Sequence, residues 1–213
     1  MEKIFITGAT GYLGQNISQI LKRKFYIYRG FNKQKIINSN EIKCNLRNLD
    51  KVRNFLKLNN IKILIHCAGI TDIELCEKYK KKCKTINYYF TKKLVDICKS
   101  LNIKIIYISS DHLFDGKSPF KGEKQKTKPL NEYAKLKILS EKYIKRKLIN
   151  HLIIRTNFFG TSNLGIKKNF AQKIINYLKK GKKIYIFEDV YFSPISIVKL
   201  SRIIYKLIKL EAK

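Results

Sequence analysis

A doubly wound α/β architecture built on a parallel sheet is predicted by three features of the chain. Short apolar runs alternate with longer amphipathic stretches. Several of those runs are apolar throughout rather than at every second position, so both of their faces are covered. The first run passes directly into a glycine-rich turn that opens a helix. Helices between consecutive strands imply right-handed crossovers and parallel pairing.

The elements follow in order. KIFIT (3–7) is the first strand and 12–22 the first helix. KFYIYR (24–29) is the second strand. A helix over 47–58 sets Leu49, Val52, Phe55 and Leu56 on one face. KILIHCA (62–68) reads as a buried strand, and 72–82 and 85–101 as helices, the second with Leu94, Val95, Ile97 and Cys98 turned inward. KIIYISS (104–110) is another strand. A polar loop over 111–130 carries Gly116, Pro119, Gly122 and Pro129. A helix over about 131–148, the strand HLIIRT (151–156), a helix over 168–180, the strand KKIYIF (182–187) and a helix over 195–210 complete the chain. Leu200, Ile203, Ile204, Leu207 and Ile208 of that last helix read as core, with the helix covering an otherwise open edge. No internal repeat or low-complexity linker is evident.

Composition narrows the class. At 213 residues and 45% hydrophobic, the chain is globular, with one core or one core and a small appendage. It opens on MEKIFITG, without a basic-then-apolar leader. No uncharged apolar run reaches the roughly 18 residues of a membrane span. No membrane association and a cytoplasmic location are therefore expected. Cys44, Cys67, Cys76, Cys83 and Cys98 are odd in number and contain no Cys-x-x-Cys pair. They read as free thiols of a reducing compartment, not as a zinc site.

The formal charge of +31 invites a polyanion, but it is evenly spread: residues 1–110 hold 22 Lys/Arg against 7 Asp/Glu, and 111–213 hold 24 against 8. Only seven of the basic residues are arginines, the side chain suited to bidentate readout of bases and phosphates. The charge reads as a solvated lysine-rich surface, with no nucleic-acid partner expected. Such a surface still attracts small anionic ligands.

TGATGYLG places glycines at Gly8, Gly11 and Gly14. The first allows a tight turn, the second close approach of a pyrophosphate, and the third close packing of helix on sheet. Amides at the helix start then meet the phosphates. The turn, spanning Gly8, Thr10, Gly11, Tyr12, Leu13 and Gly14, predicts a dinucleotide, and the fold becomes Rossmann-type. Near the end of the second strand stand Arg29, Lys33 and Lys35 and no carboxylate. A cation there accommodates the extra phosphate of NADP(H), the preferred cofactor, with NAD(H) as the second.

Tyr133 and Lys137 lie four residues apart on a predicted helix and share a face. A free phenol titrates at roughly 10. A neighbouring ammonium favours the phenolate, making Tyr133 a usable acid or base near neutrality. Ser110, at a strand end, can donate to a carbonyl oxygen. His66 and His151 lie on apolar strands and read as satisfied core histidines; His112 alone is near the proposed site, and no metal set is formed.

With these residues in hand, the chain resembles the extended short-chain dehydrogenase/reductases, and within them the dTDP-4-dehydrorhamnose reductase-like group. The resemblance runs nearly end to end. It is carried by ITGATGYLG, ILIHCAGITDIELCE, TINYYFTKKLVDIC, IIYISSDHLFDG, PLNEYAKLK, LIIRTNFFG and NFAQKIINYLKKGKKIYIFEDVYFSP. It implies an NADPH-dependent reduction of a 4-keto-6-deoxy nucleotide sugar in polysaccharide synthesis. Tyr133 gives the proton, Lys137 lowers its pKa and binds the nicotinamide ribose, and Ser110 holds the carbonyl. The resemblance further implies that Asn45 and Leu46 lie at the adenine, that Ala68, Gly69, Thr71 and Asn87 line the cofactor, and that Asp111, His112 and Asn157 face the substrate. It divides the chain into a cofactor domain at 1–155 and a short, partial substrate-binding region at 156–213, since relatives continue further. Leu136 stands where the family carries a small polar residue, His112 where it commonly has Tyr, and Asn45 where an Asp is frequent. An epimerase or dehydratase, a cofactor-binding regulatory subunit without turnover, and a homodimer stay open.

Overall fold

In β1 (Lys3–Thr7), Ile4, Phe5 and Ile6 are all buried, although successive side chains of a strand point to opposite faces. The strand therefore needs cover on both sides. The computed structural model, which describes residues 1–32, 35–118, 120–160, 170–185 and 193–211, shows where that cover comes from.

After β1 come α1 (Tyr12–Leu21), β2 (Tyr26–Phe31), β3 (Glu41–Lys43), a 3-10 turn at Leu46–Asn48, α2 (Leu49–Leu58) and β4 (Ile63–His66). Then follow α3 (Ile73–Lys78), α4 (Lys80–Cys83), a π-helical turn at Lys84–Tyr89 that runs into α5 (Phe90–Ser100), and β5 (Lys104–Ile108). The chain continues through α6 (Glu132–Lys147), β6 (His151–Ile154), β7 (Phe158–Phe159), α7 (Phe170–Lys179), β8 (Ile195–Ser196) and α8 (Ile197–Lys209).

Six strands form one parallel sheet in the order β3-β2-β1-β4-β5-β6, and β7 and β8 pair as a second, two-stranded parallel sheet. From β1 the chain winds outward through β2 and β3, then returns to set β4 on the other side of β1. The winding direction switches between β1 and β4, where open α/β sheets leave a crevice at the carboxyl ends of their strands. One face of the sheet is closed by α1 and α8: Ile4, Ile6, Ile27, Ile65, Ile106 and Ile108 pack with Leu13, Ile17, Leu200, Ile204 and Ile208. The other is closed by α2, α5 and α6, where Phe5, Tyr28, Leu64, Ile105 and Tyr107 meet Val52, Leu56, Phe90, Leu94, Val95, Tyr143 and Ile144. This is the doubly wound Rossmann-type arrangement. Leu200, Ile204 and Ile208 of the last helix lie in the core as expected, Ile203 and Leu207 are half-buried, and the helix covers a face of the sheet beside α1 rather than an edge.

The differences from expectation are local. β2 lies two residues later than 24–29 and ends at Phe31. The expected helix 72–82 breaks at Tyr79, and 85–101 opens with the π turn. The strands expected at 62–68, 104–110 and 151–156 stop earlier, at His66, Ile108 and Ile154. β3, β7 and β8 are two or three residues long, too short to carry a period. The strand expected at 182–187 is absent over 182–185: the Lys182 amide bonds back to the Tyr177 carbonyl, so these residues wrap off the end of α7. Residues 186–187 lie outside the described residues, as do 168–169 of the expected helix 168–180. All five cysteines are free, and no helix among the described residues is long and apolar enough to cross a membrane.

α8 has no strand bonds of its own to hold it, so its attachment is apolar. Ile204→Ala, at a fully buried position, is expected to lower the unfolding free energy by about 2–5 kcal/mol in denaturant titration. Val198→Ala on the outer face, 43% exposed, changes it by about 0.5 kcal/mol or less.

Candidate active site

The carboxyl ends of β1, β4, β5 and β6 lie side by side and set the floor of the crevice. Gly8, just past β1, has φ +65°, and a Cβ there would fall 2.8 Å from the Ala68 amide nitrogen. A Cβ on Gly14 would fall 2.4 Å from the Gly8 carbonyl oxygen. Both positions demand glycine because backbone meets backbone. Gly11 is the N-cap of α1, gives no side-chain cap, and donates its own N–H to the Gly8 carbonyl at 2.8 Å. The first turn of α1 holds no acidic residue. The amides that open a helix have no partners within it, and the dipole makes this end positive. Thr10 is half-buried, Leu13 is in the core, and the Tyr12 ring stacks on Phe158 with centroids 6.2 Å apart. The Tyr12 side chain therefore faces β7, and what it offers a phosphate is main chain.

Behind the turn runs a buried chain of hydrogen bonds. Thr91 Oγ1 donates to the Asn87 carbonyl at 2.8 Å, so it accepts from His66 Nε2 at 2.9 Å. His66 Nδ1 then accepts from Thr7 Oγ1 at 2.6 Å, and Thr7 Oγ1 accepts from the Ala68 amide at 3.3 Å. Burial, with the Lys137 charge adding to it, pushes the imidazole down to about 3. His66 is thus a satisfied core histidine; His151 is half-buried and bonded to the Leu148 carbonyl. Asn87, on the π turn, gives both ends of its carboxamide to the Ile70 main chain, at 2.7 and 2.8 Å. It holds the Ala68–Gly69 loop in place. Thr71 is exposed ahead of the Asp72 cap of α3.

At the end of the crevice where the adenosine was expected, Arg29 is not a free cation. Its guanidinium donates to Glu41 on β3 at 2.7 Å. Burial pushes Glu41 upward, but the Ile37 and Asn38 amides and the guanidinium outweigh it and hold its carboxyl below the ordinary range. The carboxylate is twelve residues from Arg29 and reaches it only through β2–β3 pairing. Arg29 also lies two residues before the end of β2. Lys35 is exposed, and Lys33 lies outside the described residues. Asn45 caps the 3-10 turn that begins at Leu46 and donates to Asn32 at 3.1 Å, so the rim here is a pair of neutral amides.

Tyr133 and Lys137 come together on the buried face of α6, a helix started by the Asn131 side chain on the Ala134 amide. Lys137 Nζ donates to the Ile108 carbonyl at 2.8 Å and lies 4.7 Å from the Tyr107 ring centroid and 5.8 Å from that of Tyr133. Burial pulls this ammonium down to about 8. Burial likewise pushes the Tyr133 phenol up to about 12, with the neighbouring Ser110 side chain acting in the lowering direction. The expected lowering of Tyr133 by Lys137 is therefore reversed, because desolvation of the phenol is the larger effect. Near neutrality the pair is a protonated phenol beside a charged ammonium.

Among the residues expected to face the substrate, Asp111 accepts from Asn157 at 3.1 Å and from Ser110 at 3.3 Å, with the exposed His112 at 3.8 Å. The fold thus gathers Ser110, Asp111, His112, Tyr133, Lys137 and Asn157, whereas Arg29, Asn45 and Leu46 stand apart at the far end of the crevice. Sequence reasoning missed Ser109, Glu141 and Arg155, a polar set in which buried Ser109 and Glu141 meet the half-buried Arg155. The spacing 133, 137, 141 on one helical face is the signal that could have found Glu141. Among the described residues no cluster of His, Cys, Asp and Glu is placed to hold a metal ion.

The sequence matches the family described as RmlD substrate binding domain over residues 1–213. The chain belongs to this family. Among solved structures it is similar to a hypothetical dTDP-4-dehydrorhamnose reductase from Sulfolobus tokodaii, 30% identical, TM-score 0.87, covering 100% of this chain and 74% of that one. It is similar also to the dTDP-4-dehydrorhamnose reductase of Bacillus anthracis in complex with NADP, 26% identical, TM-score 0.86, covering 99% and 72%. Among curated proteins it is similar to the methionine adenosyltransferase 2 subunit beta of Danio rerio, 28% identical over 155 residues, 72% of this chain and 46% of that one. The chain spans about half to two thirds of the length of the first curated relatives it matches.

The bond directions around His66 fix a neutral Nε2–H tautomer. Nitrogen-detected NMR is expected to show that tautomer unchanged between about pH 5 and 8. The unfolded chain takes a proton near pH 6.5 that the fold refuses down to about 3. This group's contribution to stability is therefore intact above about 6.5 and is lost as pH falls through that window. A folded-state His66 signal titrating near 6.5 contradicts the bond assignment.

Proposed function

We propose that the chain is an oxidoreductase that uses NADPH, with NADH as the second choice, to reduce a 4-keto-6-deoxy nucleotide sugar. The carrying observation is the placement of Tyr133, Lys137 and Ser110 together at the carboxyl edge of the sheet, in the same crevice as the glycine turn. The turn fits a dinucleotide on physical grounds: backbone closes on backbone at Gly8 and Gly14, and α1 opens with neither side-chain cap nor acid. A bound nicotinamide supplies the hydride. The turn at Gly8–Gly14 holds the pyrophosphate, and Ala68 and Gly69 line the path between the two cofactor halves. Ser110 donates to the ketone oxygen and polarises it.

Tyr133 is held protonated, which suits an acid that must deliver a proton to the forming alkoxide. Lys137, charged below about pH 8, stabilises the phenolate left behind. Asp111 and Asn157, joined at 3.1 Å, orient sugar hydroxyls. In this reading residues 1–155 carry the cofactor and 156–213 the start of the substrate side. The family match and the likeness to the two reductase structures support it. A second reading, a cofactor-binding regulatory subunit without turnover, is favoured by the likeness to the zebrafish methionine adenosyltransferase subunit and by Lys137 turning its ammonium to Ile108.

NADPH oxidation followed by absorbance, with a panel of 4-keto-6-deoxy nucleotide sugars, separates the two. Turnover is expected, with kcat falling about 10²–10⁴-fold in Tyr133→Phe at unchanged NADPH affinity. In the wild type kcat is expected to decline as pH rises through about 8, where Lys137 loses its charge. Tight NADPH binding without turnover of any sugar supports the regulatory reading instead.

A further inference from the structure

Behind the reacting side chains lies a carboxylate with no part in the mechanism above. Glu141 is buried on α6, one turn beyond Lys137 and two beyond Tyr133. It accepts from Ser109 Oγ at 2.6 Å and from Arg155 through two nitrogens, Nε at 3.0 Å and Nη2 at 2.7 Å. Arg155 also donates to the Glu123 carbonyl at 3.1 Å. Each partner adjoins the site. Ser109 precedes Ser110, and Arg155 stands two residues before Asn157, which holds Asp111. One carboxylate therefore ties together the segments after β5 and β6 and the helix that carries Tyr133 and Lys137.

Burying a carboxylate is a costly way to join three segments even with a half-buried guanidinium beside it, and apolar packing does the same work at no desolvation cost. The charge itself calls for a reason. The groups that act on Lys137 are His66 and Cys67 at the end of β4, Cys76 on α3, Tyr107 and the Ile108 carbonyl on β5, and Tyr133 and Glu141 on α6, with Arg155 beyond β6 as the counter-charge on Glu141. His66 is neutral, and burial keeps the thiols and both phenols protonated. Among these groups Glu141 alone brings a formal negative charge.

We propose that Glu141 is a positioning residue that sets Ser110 and Asn157 against α6 and supplies the charge that keeps the buried Lys137 an ammonium. The proposal concerns residues of the chain itself; only its activity arm rests on the reductase reading. Its direct test is NMR titration of Lys137 in lysine-labelled protein without cofactor, the signal assigned by its loss in Lys137→Met. The wild-type midpoint is expected near 8. Glu141→Gln lowers it by about one unit. Ser109→Ala, which loses a bond but keeps the carboxylate, leaves it in place. Arg155→Gln, which removes the counter-charge, raises it. A clamp of merely structural value gives no such reversal of sign.

An unchanged midpoint in folded Glu141→Gln, or a shift in the same direction in Arg155→Gln, overturns the proposal. If Glu141→Gln shows no cooperative melt, Arg155→Gln decides alone, and a midpoint that fails to rise overturns it. In turnover, the alkaline limb of kcat is expected to move down in Glu141→Gln with the KM for NADPH unchanged. Absence of turnover in the wild type would count against the reductase reading while leaving the titration result standing.

Discussion

The crevice depends on how closely the end of β1 approaches the end of β4. At Gly8 the two backbones leave no room for a Cβ, and Thr7, His66, Thr91 and Asn87 sew the same junction together from behind. An imidazole in this position is useful because it accepts on one side and donates on the other, so a single ring spans from β1 to α5 with both nitrogens satisfied. Its neutrality follows from burial and makes the chain of bonds directional. The glycine turn, the Ala68–Gly69 loop and the π turn bearing Asn87 are consequently one unit.

Much of this was legible in the sequence, for reasons particular residues make plain. Ile4, Phe5 and Ile6 announce a strand buried on both faces, and glycines at fixed offsets announce a close backbone approach, which Gly8 and Gly14 make. Tyr133 and Lys137 share a helical face by spacing alone. Other features depend on contacts between distant segments. Nothing near Arg29 in the chain foretells Glu41, because their meeting is a product of β2–β3 pairing. Glu141, Ser109 and Arg155 come from three elements. The short strands β3, β7 and β8 are defined by what they pair with. The protonation of Tyr133 also escaped local reasoning: proximity to a lysine argues one way, and the depth of burial, visible only in three dimensions, argues the other and prevails.

The charge distribution has two regimes. Outside, the lysines of a +31 chain are solvated and individually of little consequence. Inside, a few ionisable groups meet in a poorly hydrated space where each alters its neighbours, and Lys137, Glu141 and Arg155 are held by named partners. Net charge thus says little about the site, while buried Lys137 and Glu141 and the half-buried Arg155 say a good deal.

The cysteines carry a different kind of consequence. Cys44 and Cys98 lie in the layer between the sheet and α2 and α5, and Cys76 and Cys83 lie together beneath Tyr133 and Leu136. None is bridged, and burial holds the Cys44, Cys76 and Cys98 thiols in their protonated, unreactive form. An alkylating reagent can reach them only when the layer above opens. The chain therefore has two built-in clocks: the rate at which each pair is modified reports how often the core and the floor of the crevice separately breathe.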